Sequence, residues 1–377
     1  MTTQLAEELS RLSTPLLEEL ARHRFDPAHL LELAGRLRDP SASDNRVKGI
    51  VEPPRGDDLR DLPAPGTADE ARAREGGMTL LRSGRAALVV MAGGMATRMG
   101  GVVKALVPAL DGRTFLDLRL AERRSLEKLV GHDVPLWLMT SAATDGPIRD
   151  ALGQELDGYR TAIFRQRLSL RLTPEGRLFR DRSGHPSHHA PGHGDLVDSL
   201  KDSRLLGTFV ERGGKVVSVA NLDNLGATLD PVVLGVHAEH GRPVTCEVVD
   251  KVDSDRGGIP VRHGGRAVIL EEFRIPDDFD PSSVRVFNTN TFHFDAKALA
   301  EHTGPWTYFM VTKKVDGTVA IQFERLINEI TSHLDTLYLR VPRSGPRSRF
   351  LPVKDNEELA ARRGEIEAVA RARGMLP

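Results

Sequence analysis

Leucines recur at helical spacing near the start of the chain: Leu5, Leu9, Leu12, Leu16, Leu17 and Leu20, with charged residues between them. A period near 3.6 gathers them on one face, so residues 4–38 predict two amphipathic helices, broken near Asp26 and Pro27. The next stretch, "VEPPRGDDLRDLPAPGTADEARAREGG", is rich in Pro, Gly and charge. It predicts a surface connector that ends in a short helix. From Ala86 the pattern changes. Short apolar runs ("AALVVM", "VPLWLMTS", "TAIFRQ", "KVVSVAN", "PVTCEVVD") alternate with helical patterns, which predicts strand–helix–strand units and a mostly parallel sheet. Around 255–295 the strands are tied by turns, with Gly264–Gly265 as the tight connection of a hairpin. After Phe350 the segment "NEELAARRGEIEAVARARG" predicts a charged helix stopped by Gly374.

Composition narrows the partners. The 377 residues suit two or three domains with a sizeable core. A net charge of -1 argues against general polyanion binding, which needs a surplus of Lys and Arg, so no nucleic-acid partner is expected. The single cysteine, Cys246, allows no intrachain disulfide and makes a reducing compartment the default. No apolar run reaches the length of a membrane span, and "MTTQLAEELSRL" has no signal-peptide core. A soluble cytoplasmic protein without a membrane partner is expected.

The chemistry starts at "AGGMATRMGGVVKALV", directly after the apolar run that ends near Met91. Glycines let backbone N–H groups approach an anion, and a following helix N-terminus favours negative charge. The stretch does not fit the P-loop, which needs Gly-Lys-Ser/Thr at the loop's end, nor G-x-G-x-x-G, since Ala96 holds the second glycine position counted from Gly94. Read from the residues alone, it is an anion cradle or an ordinary strand-to-helix turn. "NLDNLG" follows the strand "KVVSVA". A carboxylate there, Asp223, suits Mg²⁺ beside phosphate oxygens or an Asx-turn capping the next helix, and both can hold together. "SGHPSHHAPGHGD" holds His185, His188, His189 and His193. A zinc-like cluster is disfavoured, because no Cys or carboxylate stands at the right spacing and Pro and Gly break any shared face. The histidines other than His193 are expected to be solvated. "RSRFLPVK" sets three cations against an apolar turn, a pattern that an anion explains better than solvation alone.

These motifs, in this order, carry a resemblance. "GGMATRMGGVVK", "DGRTFLDL" and "VPLWLMTS" resemble the signature of UDP-sugar pyrophosphorylases, above all the eukaryotic-type UTP–glucose-1-phosphate uridylyltransferases, with their Gly-Gly-x-Gly-Thr-x-x-Gly loop and Pro-Lys. "FRQ", "APGHGDL", "NLDNLGA", "DRGG", "LEEFRIP", "FNTNTFHF", "VDGTVAIQFE" and "RSRFLPVK" continue the likeness over roughly residues 80–354. The resemblance implies an α/β fold: a doubly wound, mostly parallel, Rossmann-like nucleotidyltransferase sheet with the nucleotide at the carboxyl ends of its strands. It divides the chain into an N-terminal helical segment and connector (1–80), a catalytic domain (81–342) and a short C-terminal segment (343–377).

The roles it implies attach to matching positions. Gly93, Gly94, Thr97, Arg98 and Gly100 would hold the triphosphate, with Lys104 as a point charge. Gln166 would read uracil, beside the base and ribose turn of Gly192, His193 and Gly194; without its flanks Gln166 reads as a surface amide. Asp223 would ligate Mg²⁺, with Asn221 near the sugar. Gly258, Glu271, Asn288 and Asn290 would bind the sugar, and Lys251 and Lys354 its phosphate. Arg98, Lys104 and Lys354 would be the catalytic cations. The implied activity joins UTP and a hexose 1-phosphate, most of all glucose 1-phosphate, into UDP-sugar and pyrophosphate. The alternatives are another sugar or cyclitol phosphate, another nucleotide, or a nucleotide-sugar sensor without turnover. Two residues depart from the pattern: Ala96 for Gly, strained if φ is positive there, and Val103 for Pro. The family also continues into a C-terminal β-helix, for which only the charged helix stands here.

Overall fold

The apolar runs become the strands of one sheet. In the computed structural model, which describes residues 2–39, 45–252 and 255–376, this sheet has eight strands. They are β1 (Leu59–Asp61), β2 (Ala86–Met91), β3 (Leu136–Thr140), β4 (Thr161–Arg165), β5 (Val216–Asn221), β6 (Val244–Asp250), β7 (Val286–Asp295) and β8 (Thr336–Arg340). Their spatial order is β1-β8-β6-β7-β5-β2-β3-β4. Every neighbouring pair is parallel except the two that β7 makes. Alternate residues explain why the runs are apolar throughout. Ala86, Leu88 and Val90 enter one core while Ala87 and Val89 enter another on the opposite face, and Leu136 and Leu138 part from Trp137 and Met139 in the same way. The sheet is doubly wound, as expected.

Strand order reverses between β2 and β5. From β2 the chain runs to β3 and β4 on one side, then returns to β5 on the other. Crevices at such switch points, beyond the carboxyl ends of the strands, are where open α/β sheets bind ligands. The hairpin expected around Gly264–Gly265 is present. It joins Ile259–His263 to Arg266–Leu270, and both glycines have positive φ, 58° and 79°, as a two-residue turn of this hand requires.

Three expectations need correction. The N-terminal region forms three helices, Thr2–Ser10, Thr14–Arg22 and Pro27–Gly35, because Pro15 in the first turn restarts the chain after Ser13. The connector's short helix is fifteen residues long, Ala68–Arg82, and passes through Gly76 and Gly77. Gly77 is needed for packing: a Cβ on it would stand 1.8 Å from Pro231 O, just as one on Gly235 of the facing helix would stand 1.7 Å from Ala73 O. The C-terminal charged helix is two helices, Asn356–Ala361 and Arg363–Ala372. It is amphipathic, with Ile366, Val369 and Ala370 in the sheet's core.

Candidate active site

The glycine loop does not lead into an α-helix, only into short 3-10 turns at Thr97–Met99 and Lys104–Leu106. It folds into a small hairpin, Met95–Ala96 against Val102–Val103, and the next α-helix waits until Phe115. The expected helix dipole is therefore absent, and any anion must be held by loop N–H groups and side chains. Among the described residues the N–H groups of Gly93 and Gly94 have no protein acceptor. Thr97, Arg98 and Gly100 are exposed on the hairpin. The two departures prove harmless to the backbone. Ala96 has φ of −78°, so no glycine is required, and Val103 has φ of −64°, the angle proline would impose. Lys104 follows directly, its N–H donating to Gly94 O at 3.2 Å.

Lys104 and Asp223 meet across the switch point. Nζ lies 2.6 Å from Oδ2, and both side chains are largely buried. Asp223 comes from the loop after β5, and that loop is held from below. Arg119, wholly buried, donates to Asn221 O at 3.1 Å, Asn224 O at 2.6 Å and Ala227 O at 2.9 Å. The Asn224 amide ties the loop to the C-terminal strap, donating to Arg349 O at 3.1 Å and accepting from Leu351 N at 2.7 Å. Among the described residues Asp223 makes no hydrogen bond that caps the following segment; its side chain bonds to Lys104.

Gln166 follows β4 and is buried. Its Nε2 donates to Gly192 O at 3.3 Å, and a Cβ on Gly93 would lie 3.1 Å from its Oε1. The amide thus joins the glycine loop to the 192–194 turn. That turn needs its glycines. Gly192 has φ of 87°, and side chains on Gly192 or Gly194 would come within 2.6–2.7 Å of the Arg325–Leu326 backbone. His193 Nδ1 accepts from Ile327 N at 3.1 Å, and burial holds its pKa at about 4, so the ring is neutral near pH 7. Asp195 anchors the same turn, accepting from Arg167 N at 2.6 Å and pairing with the buried Arg325.

On the far side of β5 lie the residues matched to sugar binding. Asn290 Nδ2 donates to Asn221 Oδ1 at 3.3 Å. Asn290 sits in the left-handed region, φ 58°, which asparagine tolerates better than most residues. Asn288 is buried beneath it, its Oδ1 accepting from Asn290 N at 2.9 Å, so its work here is to hold Asn290. Gly258 makes room for Glu271: a Cβ there would stand 2.9 Å from Oε1. Glu271 accepts from Asn328 Nδ2 at 3.2 Å. Burial, with Glu329 and Glu272 nearby, raises its pKa to about 7.

Two cations stand apart. Lys251 is half-buried at the end of β6, where its field acts on Asp280. Lys354 is exposed; its N–H donates to Glu358 at 2.7 Å and its charge acts on Asp255. Among the described residues no hydrogen bond or ion pair joins either to Lys104 or Asp223. The cations of "RSRFLPVK" also divide. Arg349 is wholly buried against Glu247, at 2.5 Å, and Arg347 pairs with Glu70, so the anions that explain them belong to the protein. Among the described residues no group of three or more His, Cys, Asp or Glu could hold a metal ion. His185 and His188 are exposed, but His189 is buried with a pKa held at about 4, contrary to the solvated reading.

Sequence reasoning missed the supports: Arg119, Asp195, Asn224 and Arg325. Arg119 left a signal, since it stands three residues before Glu122, the helical spacing of an ion pair on one face. Asp195, Asn224 and Arg325 left none, because their partners are distant in sequence.

A family model described as UTP–glucose-1-phosphate uridylyltransferase matches residues 50–370. A UTP–glucose-1-phosphate uridylyltransferase of Hordeum vulgare is 32% identical over 287 residues, covering 71% of this chain and 59% of the relative. One of Saccharomyces cerevisiae is 31% identical over 294 residues, covering 72% and 58%. The chain thus spans a little under three-fifths of the length of these curated relatives. Among solved structures, a UDP-glucose phosphorylase from Trypanosoma brucei aligns with TM-score 0.74 at 23% identity, over 92% of this chain and 77% of that one. A mutant UDP-glucose pyrophosphorylase from Leishmania major, in complex with UDP-glucose, aligns with TM-score 0.71 at 21% identity, over 92% and 77%. These structures share the fold. With the model match running through every strand of the central sheet, the chain belongs to the UTP–glucose-1-phosphate uridylyltransferase family.

Proposed function

We propose that the chain transfers the uridylyl group of UTP to a hexose 1-phosphate, glucose 1-phosphate first among them, giving UDP-sugar and pyrophosphate. The observation that carries this reading is the Lys104–Asp223 pair at the switch point, one loop away from the Gln166 amide. Charge for phosphates and a base-reading amide then flank one crevice.

In this reading the free N–H groups of Gly93 and Gly94, with Thr97, Arg98 and Gly100, receive the triphosphate. Gln166 offers a donor and an acceptor to the uracil edge. Gly192, His193 and Gly194 back the base. Glu271, Asn221 and Asn290 orient the sugar hydroxyls, with Asn288 and Gly258 supporting them, and Lys251 and Lys354 meet the sugar phosphate. An oxygen of that phosphate attacks the α-phosphorus of UTP in line. One P–O bond forms, the bond to the β-phosphate oxygen breaks, and pyrophosphate leaves with the electron pair. No protein nucleophile is involved, so the residues act by positioning and by neutralising charge.

The donor set at Asp223 suits Mg²⁺. Oδ2 is held by Lys104 and Oδ1 has no partner among the described residues. A single carboxylate is enough for an ion that keeps waters and takes its other ligands from phosphates. Bound there, Mg²⁺ would supply further neutralisation of the phosphate charge. A cytoplasmic setting, from the lone buried cysteine, belongs to the same proposal.

Pyrophosphate release with a panel of nucleoside triphosphates and sugar 1-phosphates tests the reading. UTP with glucose 1-phosphate and Mg²⁺ should be the fastest pair. Preference for another nucleotide, or no release with any pair, overturns it.

A further inference from the structure

Residues 2–39 precede the matched stretch, which begins at residue 50, and no role has yet fallen to their helices. Their contacts converge on the base side of the crevice. Leu5, Leu9 and Leu20 share one apolar cluster with Leu168, Leu170 and Phe323, just beyond Gln166. At the end of the second helix, His23 is buried against the chain that leaves β4. Its carbonyl accepts from Leu168 N at 3.1 Å, and its ring Nδ1 lies 3.3 Å from Gln166 O. A carbonyl only accepts, so Nδ1 carries the proton in that bond.

Three successive amides are therefore tied to three different elements. Gln166 N donates to Thr140 O in the sheet at 2.9 Å, Arg167 N to Asp195 in the base turn at 2.6 Å, and Leu168 N to His23. Arg24 reinforces the clasp. Its guanidinium pairs with Asp202 at 3.0 Å, the carboxylate that Arg167 also holds, at 2.7 Å. The Gln166 side chain has three rotatable bonds, and the direction of its amide depends on the peptides on either side.

We propose that His23 is a positioning residue for the base reader, and that the N-terminal helices serve as the clamp that presents it. It fixes the peptides flanking Gln166, so that the side-chain amide faces the base in one orientation and uracil is preferred over other bases. The proposal rests on the uridylyl-transfer reading above.

Steady-state pyrophosphate release by the full chain, at saturating glucose 1-phosphate, tests it with His23→Asn, His23→Gln and His23→Ala. Asparagine places an N–H where Nδ1 stands; glutamine places one where Nε2 stands. His23→Gln and His23→Ala should raise the KM for UTP about five- to twentyfold with kcat within twofold, and should narrow the UTP-to-ATP ratio of kcat/KM. His23→Asn should stay within about twofold of the parent. A purely structural role would instead lower the melting temperature and leave the KM for UTP unmoved. That result overturns the proposal, as does equal behaviour of the Asn and Gln variants or equal weakening for every base. If His23→Ala does not fold, the Asn–Gln pair decides alone. A parent protein that does not turn over UTP refutes the underlying reading and this inference with it. A parent that does, beside an unaffected His23→Gln, refutes the inference only.

Discussion

Lys104 Nζ and Asp223 Oδ2 lie 2.6 Å apart although 119 residues separate them in sequence. Only the return of the chain from β4 to β5 brings them together, and it does so where the strand order reverses. Each neutralises the other, so in the proposed reading a triphosphate entering the crevice would compete with Asp223 for Lys104. Asp223→Asn keeps the shape and removes the charge. We expect kcat for UTP and glucose 1-phosphate to fall by roughly two orders of magnitude or more, with the far-UV circular dichroism unchanged. Normal Mg²⁺-dependent turnover by that variant would show the pair to be structural.

Glu271 should leave a signature in stability against pH. Its folded pKa is about 7, against an unfolded value of 4.5, because burial and two neighbouring glutamates disfavour its charge. Below pH 4.5 both states are protonated, and the protonated form's contribution is fully present. As pH rises through 7, the folded protein is forced to ionise a group the unfolded chain has already ionised, and that contribution is lost. Glu271→Gln removes the titration. Scanning calorimetry should find the variant's melting temperature gaining on the parent's between pH 5 and 8. His189 and His193, with pKa values held at about 4, act in the opposite sense below pH 6.5, but equally in both proteins. A difference that stays constant with pH would mean that Glu271 titrates as an ordinary carboxylate.

Two glycine-to-alanine changes should have opposite signs. Gly235→Ala puts a methyl 1.7 Å from Ala73 O between two tightly packed helices, Ala68–Arg82 and Pro231–His240. Overpacking of this kind costs about 1–3 kcal/mol or more. Gly364→Ala, inside Arg363–Ala372, meets nothing within 4 Å and should gain about 0.5–1 kcal/mol from the better helix former. Urea unfolding of both variants reads the signs directly. A stable Gly235→Ala would mean that the two helices can separate at little cost.

How much of this was legible depended on how local each signal was. The five apolar runs became five strands of the central sheet because a strand buried on both faces needs unbroken apolar residues, and Gly264–Gly265 wrote its own turn. The crevice residues were legible only through the order of their motifs, since Gln166, Asp223 and Asn290 come from segments that meet only in the fold. The first break of the three-helix start is hidden because the leucine spacing runs straight on through Pro15, which is a first-turn residue that starts the second helix. The cations of "RSRFLPVK" misled for a different reason. Sequence shows that a charge needs a partner, not whether that partner is a substrate or the buried Glu247. Asn224, which ties the Asp223 loop to the strap from beneath, binds the backbone of Arg349 and Leu351, and backbone groups have no sequence signature.

Lys354 is exposed, and among the described residues it does not touch the Lys104–Asp223 pair. Its root, however, is fixed beside that pair. Leu351, three residues earlier, is buried and bonded to Asn224 at 2.7 Å, one residue from Asp223. Three residues of chain span at most ~11 Å, and in the proposed reading a swing of the strap that also moves the buried Val353 would bring the ammonium to phosphates in the crevice. Closure of this kind would complete the site only when both substrates are bound. Losing one such contact at the reacting phosphates costs about 2.7–4 kcal/mol. Lys354→Ala should therefore lower kcat by roughly two to three orders of magnitude. UTP binding, measured by calorimetry without the sugar phosphate, should persist, because the glycine loop and Lys104 precede the strap. Lys354→Arg should recover only part of the rate, since its wider guanidinium presents donors fixed in a fork. If Lys354 is only a solvated cation beside Asp255, both variants will turn over within a few-fold of the parent, and steady-state kinetics on the pair separates the two cases.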